Sequence, residues 1–508
     1  MGRAVGIDLG TTTSAVAIVG PDGIPTILPN REGERLTPSV VLYQGHDWLV
    51  GSSAKQSVAD APDVVQFVKR HMGDRDWAFV TTEGRQLEAE MVSGAILRRI
   101  KDDAELVLGE PVTDAVISVP AHFGDPQRKA TEDAGEIAGL NVLGLINEPT
   151  AAAVSHAVQT GRQGTVLVYD LGGGTFDVTI MDIVERDFRV RSTQGDRNLG
   201  GLLWDNALMG YLIGQGHSGG VAEDLMRSPE LQERAERAKH TLTTTNEARV
   251  PVRVGGRQQI VRVTRTIFEE LTRDLLDRTR ANVDIALADA GLTADQIDHI
   301  LLAGGSTRMP MVRDMLGSFF GRPPTPGANP DEAVALGAAV QAAMLAHGSA
   351  GYTEMPSAGT PATLTKPDIV IHDVTAHGLG VISFDPATGV HRNHVLLPCN
   401  SPIPGCGERR FVTAASGQSV IRLRITEGDD EDVDFVRTIG QARIALPETS
   451  GRTPLRVVIS LNADAVVYAE VFNDIGNKLG DLEIERGSNL TRVEIDRAAA
   501  SLRRANLG

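Results

Sequence analysis

A glycine-rich turn between two apolar strands is the part of the sequence best suited to chemistry. In Val168–Ile180, Asp170 is followed by a leucine, three glycines and Thr175. Glycines allow positive φ and leave several backbone N–H groups free to point at one object. Such groups beside a hydroxyl and a carboxylate suit a phosphate with its metal ion. Taken by itself, the stretch is equally typical of a tight hairpin turn, in which glycine is common.

A second stretch repeats the same plan near the N-terminus. Gly6–Ile18 places Asp8 where the first stretch has Asp170, and Thr13 where it has Thr175. The two aspartates are 162 residues apart, which is too long a period for a solenoid. The repeat instead predicts two duplicated halves, each with one phosphate-binding hairpin, whose aspartates face a common cleft.

The elements around these hairpins predict an α/β domain. Apolar periodicity indicates helices at 88–108, 223–245 and 264–290. Residues 300–310 form a buried strand, a Gly-Gly-Ser-Thr-Arg turn and the start of a helix, and N–H groups at a helix N-terminus can bind an anion. No G-x-x-x-x-G-K-[ST] sequence is present, which excludes a P-loop nucleotide site.

The composition changes after residue 346. Residues 347–373 are predicted to form a linker, because 347–367 are rich in Gly, Ser, Thr, Ala and Pro without periodicity. Short β-type runs separated by turns then predict an antiparallel β-domain at 374–487. The tail, 488–508, is expected to contain one short helix at 492–506 and no helical lid.

Charge and cysteine content narrow the class of protein. The formal net charge of −17 argues against nucleic acid or a membrane surface as the main partner. Cys399 and Cys406 are most simply two thiols, since metal sites need more ligands at closer spacing. With no signal peptide and no apolar run long enough to span a bilayer, a cytoplasmic location is expected.

Eight stretches resemble motifs of the DnaK-type heat-shock chaperones, the seventy-kilodalton class, in that family's order. They cover most of residues 1–346, and 374–487 resembles the family's peptide-binding domain by pattern. The stretches are Gly6–Ser14, Thr37–Ser39, Val116–Phe123, Ile146–Thr150, Val168–Ile180, Ala235–Lys239, Ala303–Val312 and Asn329–Gln341.

The resemblance implies an α/β actin-like (ribonuclease-H-like duplicated) ATPase domain followed by an antiparallel β-sandwich domain. The halves of the ATPase domain would be about 1–165 and 166–346. Inserted subdomains would lie at about 35–88 and 201–272.

The resemblance also implies a site for ATP or ADP with Mg²⁺, and K⁺ as a further candidate ion. Glu148 would orient the attacking water, Lys69 would face the γ-phosphate, and Asp170 and Thr175 would complete the catalytic set. Asp8, Asp170 and Glu148 would hold Mg²⁺ mostly through water, as a strongly hydrated cation prefers. The implied nucleotide-binding residues are Gly10, Thr11, Thr12, Thr13, Gly172, Gly173, Gly174, Thr175, Gly200, Gly201, Glu236, Lys239, His240, Thr243, Gly304, Gly305, Ser306, Arg308 and Asp331.

Several of these assignments have plain structural alternatives. Glu148, which precedes a proline, could simply end a strand. Lys69 taken alone would more often be a solvated surface lysine, with Arg70 beside it. Glu236 and Lys239 have the spacing of an ordinary i, i+3 helix pair. Only the joint pattern favours a functional role for them.

The β-domain would bind an extended peptide through main-chain hydrogen bonds and one apolar pocket. Val381 and Leu423 are explained equally well as sandwich core. The acidic run Glu427–Asp432 is predicted to be a solvated loop, or alternatively to favour peptides with basic flanks. The implied peptide-binding residues are Val381, Ser383, Phe384, Phe411, Ala414, Ile421 and Leu423. Pro120, Arg128 and Asp373 match positions implied to relay the nucleotide state between domains.

The leading interpretation is an ATP-dependent chaperone that binds extended apolar segments of unfolded proteins. A J-domain co-chaperone and a nucleotide-exchange factor are implied partners, with altered docking surfaces at 142–146 and at Leu202–Leu203. The alternatives are a heat-shock-like scaffold that does not hydrolyse ATP, and a small-molecule kinase of the actin/sugar-kinase fold. The kinase alternative gives no reason for the β-domain.

Overall fold

The structure, a computed structural model, divides into two compact units. The first contains Met1–Phe188, Gln194–Ile369 and Ser488–Gly508, and the second contains Arg189–Thr193 and Val370–Gly487. Most of the linker expected at 347–373 lies outside the described part of the chain. The described residues are 2–45, 47–216, 226, 228–254, 257–327, 329–349, 369–385, 388–448, 450–462, 466–484 and 490–507.

The first half of the first unit is built on a mixed sheet. Its elements are β1 (Arg3–Asp8), β2 (Thr13–Val19), β3 (Pro25–Leu28), β4 (Thr37–Pro38), β5 (Val40–Gln44), β6 (Asp47–Val50), α1 (Ser52–Gln56), β7 (Val64–Gln66), β8 (Ala78–Val80), β9 (Gln86–Glu88), α2 (Ala89–Leu108), β10 (Val112–Val119), α3 (Asp125–Ile137), β11 (Asn141–Asn147) and α4 (Glu148–Thr160). The main strands follow the order β11-β10-β1-β2-β3. Strand β1 is antiparallel to β2 and parallel to β10, so the glycine turn between β1 and β2 joins two interior strands of the sheet.

The second half repeats this local topology. Its elements are β12 (Gly164–Leu171), β13 (Phe176–Val184), β14 (Asp187–Asp196), α5 (Gly201–Gly216), α6 (Pro229–Thr244), β15 (Glu247–Val254), β16 (Arg257–Thr264), α7 (Arg265–Leu271), α8 (Arg273–Ala290), β17 (His299–Ala303), α9 (Pro310–Phe320) and α10 (Ala333–Ser349). Strand β12 is antiparallel to β13 and parallel to β17, as β1 is to β2 and β10. None of the helices in the described residues is long and apolar enough to cross a membrane.

The helical stretch predicted at 264–290 is two helices rather than one. They are separated at Thr272, whose φ of −117° departs from helical geometry. Thr272 Oγ1 donates a hydrogen bond to the Phe268 carbonyl oxygen at 2.8 Å. Such a local bond from a threonine side chain to the backbone competes with regular helix geometry.

Helix α10 packs so closely on the first half that glycine is required at the contacts. A Cβ atom on Gly337 would stand 1.8 Å from the carbonyl oxygen of Ala151 in α4. One on Gly6 in β1 would stand 1.9 Å from the backbone nitrogen of Ala339 in α10. The backbones of these three elements therefore touch, which fixes how α4 and β1, and the acids they carry, are placed.

The second unit contains two four-stranded antiparallel sheets within its described residues. Its strands are β18 (Val370–His372), β19 (Leu379–Asp385), β20 (Val390–Leu397), β21 (Gly405–Val412), β22 (Val420–Glu427), β23 (Arg437–Ala445), β24 (Pro454–Leu461), β25 (Val467–Asn473) and β26 (Lys478–Ile484). The sheet orders are β20-β19-β22-β23 and β21-β24-β25-β26. Strand β24 alternates buried and less buried residues, and its inward side chains share one apolar cluster with those of β19 and β22.

The C-terminal segment belongs to the first unit and not to the β-rich second one. Helix α11 (Arg492–Arg504) begins at a capping box formed by Thr491 and Glu494. Its apolar side chains Ile495 and Leu502 are buried in the core cluster of the first half. The chain continues into β27 (Asn506–Leu507), which pairs in parallel with β6.

Polar contacts fix the segment as well. Leu507 lies opposite Trp48, which is 1% exposed, and its carbonyl oxygen accepts from Arg31 Nη1 at 3.3 Å. Arg31 also bonds to Asp103 at 2.5 Å, so the end of the chain joins a buried charge network of the first half. These residues make the C-terminal segment part of the first unit's core.

We expect Leu502→Ala to destabilise the first unit by about 2–5 kcal/mol, because its side chain is 1% exposed and its removal leaves a cavity. The three tryptophans, Trp48, Trp77 and Trp204, all lie in the first unit, so denaturation followed by their fluorescence reports on that unit. Val493→Ala in the same helix is the matched control, since Val493 is 65% exposed. Equal midpoints for the two variants would contradict this role for α11.

Candidate functional site

The two glycine-rich turns lie against each other in the first unit. A Cβ atom on Gly173 would stand 2.4 Å from the side chain of Thr12. One on Gly174 would stand 2.8 Å from that of Thr11. Only glycine fits where the chain comes this close to a neighbour. The structure thus brings together the two turns that the sequence matched as copies of one plan.

A third turn, at Gly200 and Gly201, completes this surface. A Cβ on Gly200 would stand 2.6 Å from the backbone of Gly174, and the Gly201 N–H donates to the Gly172 carbonyl oxygen at 3.0 Å. Ser306 Oγ donates to the same carbonyl oxygen at 2.9 Å. The surface is therefore mostly backbone, which suits a chain of phosphates.

Asp8, Glu148 and Asp170 are brought together beside these turns, with Lys69 among them. Lys69 is 5% exposed, and its Nζ forms an ion pair with Glu148 Oε1. Asp8 Oδ1 accepts a hydrogen bond from Ser118 Oγ at 2.7 Å. Glu148 is the first residue of α4, where the helix dipole favours a carboxylate.

The backbone before Lys69 sets its direction. Phe67 has a φ of 59°, a left-handed conformation that is uncommon for a bulky residue. The short 3-10 helix Val68–His71 follows, with Lys69 pointing inward and Arg70 exposed. The alternative of a solvated surface lysine is therefore wrong for Lys69 and describes Arg70.

A fourth carboxylate, Asp177, belongs to this cluster, and the sequence analysis did not identify it. It is 1% exposed and lies opposite Asp170 in the β12–β13 hairpin. Its Oδ1 lies 3.0 Å from His122 Nδ1 and accepts from the His122 backbone N–H at 3.3 Å. The sequence did contain a signal for Asp177: it is an aspartate inside an apolar strand, at the position where the first copy has Ala15.

The Lys69 ammonium group thus interacts with the carboxylates of Glu148, Asp8 and Asp170, and Asp177 lies beside Asp170. Burial raises the pKa of Asp8, and it raises the pKa of Asp170 well above its usual range, with the charges of Glu148 and Asp177 adding to the shift. Burial also raises the pKa of Glu148 to about 7, although Lys69 opposes this. Burial lowers the pKa of Lys69, but the charges of Glu148 and Asp8 outweigh it, so the net direction is upward.

The cluster fits a hard divalent cation. Its donors are carboxylate oxygens, and a bound cation would relieve the excess negative charge that raises their pKa values. Across the described residues, no three His, Cys, Asp or Glu side chains are placed to hold one metal ion directly. An ion that keeps several waters, as Mg²⁺ does, suits carboxylates at such spacing.

The residues assigned to the adenosine lie on both sides of the third turn. Lys239 on α6 donates to the Gly201 carbonyl oxygen at 3.2 Å and pairs with Asp205 at 2.8 Å. Glu236 pairs instead with Lys55 of α1 at 2.9 Å. The alternative of a simple Glu236–Lys239 helix pair is therefore wrong, and the sequence analysis missed both partners, Asp205 and Lys55.

The remaining adenosine residues cluster at the end of β17. Gly304 has a φ of 78°, and a Cβ there would stand 2.4 Å from the Leu171 carbonyl oxygen. Arg308 forms an ion pair with Asp331 at 2.6 Å, and a Cβ on Gly305 would stand 2.7 Å from Asp331 Oδ1. Thr243 Oγ1 bonds within its own helix to the Lys239 carbonyl oxygen at 3.1 Å, and His240 is exposed.

Two of the residues implied to relay the nucleotide state between domains, Pro120 and Arg128, lie in the first unit close to the carboxylate cluster. Arg128 on α3 donates to the Phe123 carbonyl oxygen at 2.9 Å and to Asn147 Oδ1 at 2.7 Å. Asn147 precedes Glu148, and Pro120 follows the last residue of β10, two residues before His122. Arg128 thus connects the segment after β10 to the residue before Glu148.

The residues assigned to peptide binding differ in burial within the second unit. Val381 and Leu423 are 4% and 2% exposed and lie in its apolar core. Phe411 and Ile421 are partly buried against that core, Ala414 has intermediate exposure, and Phe384 is 44% exposed. Ser383 Oγ lies 2.8 Å from His394 Nε2. Asp373, implied to relay the nucleotide state, accepts a hydrogen bond at its backbone carbonyl oxygen from the Ile403 N–H at 2.9 Å.

Comparisons with known proteins agree on one family. A family model described as "Hsp70 protein" matches residues 4–506. Two proteins named "Chaperone protein DnaK", from Halobacterium salinarum strains R1 and NRC-1, are each 38% identical over 507 residues. Each match covers 97% of this chain and 77% of the relative.

The family match and the named relatives place the chain in the class of ATP-hydrolysing chaperones, and the backbone-lined turns beside a buried lysine and carboxylates are consistent with that class. The chain belongs to the Hsp70 family. Because the family match extends to residue 506, it includes the all-β unit and the returning C-terminal segment.

The raised pKa of Glu148 predicts a pH-dependent stability of the nucleotide-free protein. Its pKa is about 7 in the folded state against a usual value of 4.5, so the folded state binds the extra proton. The stabilisation that this proton gives the folded state is complete below pH 4.5 and is lost as the pH rises through about 7. We expect Glu148→Gln to flatten the fall in melting temperature between pH 4.5 and about 7. Exposed Glu83→Gln is the control, and equal slopes for both variants would contradict the assignment.

Proposed function

We propose that this protein is an ATP-dependent molecular chaperone whose nucleotide state sets its affinity for extended apolar segments of unfolded polypeptides. One observation carries the proposal: the buried Lys69–Glu148 pair lies beside two facing glycine turns, in a chain that also contains an antiparallel β-unit. ATP hydrolysis to ADP and phosphate is the activity of the Hsp70 family, to which the chain belongs.

We assign residues 1–346 as an actin-like, ribonuclease-H-like duplicated domain. The matched strand pairings support this, because each half has an antiparallel hairpin with one parallel neighbour. Residues 347–373 would be the linker and 374–487 the peptide-binding sandwich. The halves would divide near residue 165.

For hydrolysis we propose that the turns at Gly10–Thr13 and Gly172–Thr175 hold the β- and γ-phosphates. Mg²⁺, held mostly through water by Asp8, Asp170 and Glu148, would neutralise phosphate charge. K⁺ is a further candidate ion. Glu148 would orient the attacking water and accept its proton.

Lys69 would stabilise the negative charge that develops on the γ-phosphoryl group. Thr175 offers its hydroxyl from the second turn. We add Asp177 to the proposed catalytic residues, because its charge raises the pKa values of both Glu148 and Asp170. The adenosine would lie between α6 and the turn after β17, among Glu236, Lys239, Thr243, Ser306 and Arg308.

In the second unit we propose that Phe384, Phe411, Ala414 and Ile421 contact the peptide. Each keeps some exposed surface, whereas Val381 and Leu423 are buried and would support the pocket from beneath. A J-domain co-chaperone and an exchange factor are proposed partners, through surfaces that depart from the family's pattern.

The test measures ATP turnover with and without an extended apolar peptide. We expect Asp170→Asn to reduce turnover by about 100-fold or more, because it removes a charge beside the phosphates and metal. Asp314→Asn, an exposed aspartate on α9, is the control and should match wild type. Peptide should accelerate turnover in the wild type.

Other outcomes separate the alternatives. Turnover that does not respond to peptide would contradict coupling between nucleotide and peptide binding. ATP binding without turnover in the wild type would favour a scaffold, and phosphate transfer to a sugar would favour a kinase.

A further inference from the structure

A cavity of about 230 Å³ is lined by Lys69 and by none of the residues assigned to the adenosine. Thr11, Lys69 and Thr175 form its inner wall, which is the place proposed for the γ-phosphate. Arg70 and Arg197 line its outer part. The cavity therefore extends beyond the phosphate surface toward solvent, since both arginines are exposed.

The charge of this lining is entirely positive. Lys69, Arg70 and Arg197 carry three positive charges, and no carboxylate is among the lining residues. Within the described residues neither arginine has a carboxylate partner: Arg70 Nη2 donates to Asn198 Oδ1 at 3.4 Å, a neutral contact. The carboxylate next to Arg197 in sequence, Asp196, is paired with Arg278 at 2.5 Å.

Uncharged groups in the lining also suit an anion. The hydroxyl groups of Thr11 and Thr175 can donate hydrogen bonds. The Oε1 atom of Gln127 is buried and has no hydrogen-bond partner within the described residues. Because the two ends of an amide exchange by a flip, this position can equally present the N–H₂ group to an anion.

The two arginines come from opposite halves of the first unit. Arg70 follows Lys69 in the short helix Val68–His71, and Arg197 lies in the turn between β14 and the Gly200–Gly201 turn. An anion between them would contact both halves. Negative charge in such a cavity is attracted by the two arginines, because Lys69 is offset by Glu148 whereas neither arginine has a carboxylate partner within the described residues.

We propose that this cavity is an exit subsite for inorganic phosphate, in which Arg70 and Arg197 hold the product after hydrolysis and before release. The proposal rests on the proposed ATPase site. Water attacks the γ-phosphorus, the bond to the β–γ bridging oxygen breaks with its electrons on ADP, and Glu148 takes the proton. The freed phosphate then leaves the carboxylate side of Lys69 for the side that holds only positive charge.

Two measurements test the subsite. In a single turnover, quenched samples give the hydrolysis rate and a fluorescent phosphate sensor gives the release rate. Equilibrium binding of radiolabelled phosphate to the full-length protein with ADP and Mg²⁺ gives the affinity without any turnover. The wild type should release phosphate more slowly than it forms it.

Arg197→Ala should weaken phosphate binding about fivefold, the order expected for one exposed charge-assisted contact, and should shorten the lag between hydrolysis and release. Arg197→Glu should weaken binding further. Arg70→Ala, from the other half, should act in the same direction. Arg313→Ala removes one exposed arginine that does not line the cavity, and should match wild type in both measurements.

Phosphate affinity and lag that are unchanged in Arg197→Glu and Arg70→Ala would overturn the proposal. If the wild type hydrolyses no ATP, the proposed function fails, but the equilibrium measurement still decides the subsite. If Arg313→Ala weakens phosphate binding as much as Arg197→Ala does, the effect is one of overall charge. That result would also overturn the proposal.

Discussion

The ion pair between Lys69 and Glu148 is the interaction on which the arrangement of the first unit depends. Both groups are buried, and an ion pair away from water is tolerated only where its surroundings hold both partners in place. The left-handed Phe67 directs the lysine inward, and the N-terminus of α4 holds the glutamate. The same α4 touches α10 through Gly337, so a close backbone contact supports the helix that carries Glu148.

Polarity changes sharply across this pair. On one side Asp8, Asp170 and Asp177 accompany Glu148, and their pKa shifts reflect crowding of like charges. On the other side the lining carries only positive charge. A substrate that carries phosphate and metal together suits this boundary, because its cation faces the acids and its outermost anion faces the lysine.

The sequence predicted the glycine turns and their meeting because the two turns share one plan, and each turn follows a strand with the same pairing, antiparallel to the next strand and parallel to one neighbour. Asp177 was missed because its counterpart is Ala15, so the comparison of copies gave no signal there. Lys55 and Asp205 were missed for another reason. Single charges on helices have many possible partners, and only tertiary structure selects Glu236 and Lys239 for them. Periodicity identified the terminal helix, but periodicity does not say which core a helix joins.

The return of the C-terminal segment to the first unit has a consequence for biosynthesis. Domains of a growing chain usually fold in order from the N-terminus as each one leaves the ribosome. Here β6, which begins at Asp47, gains its neighbour β27 only when residues 506 and 507 have been made. The first unit therefore cannot complete its core until the whole β-unit has been synthesised. During that interval the apolar side chains that Ile495 and Leu502 later cover lack these partners, so this chaperone is itself a protein whose newly made form presents uncovered apolar surface.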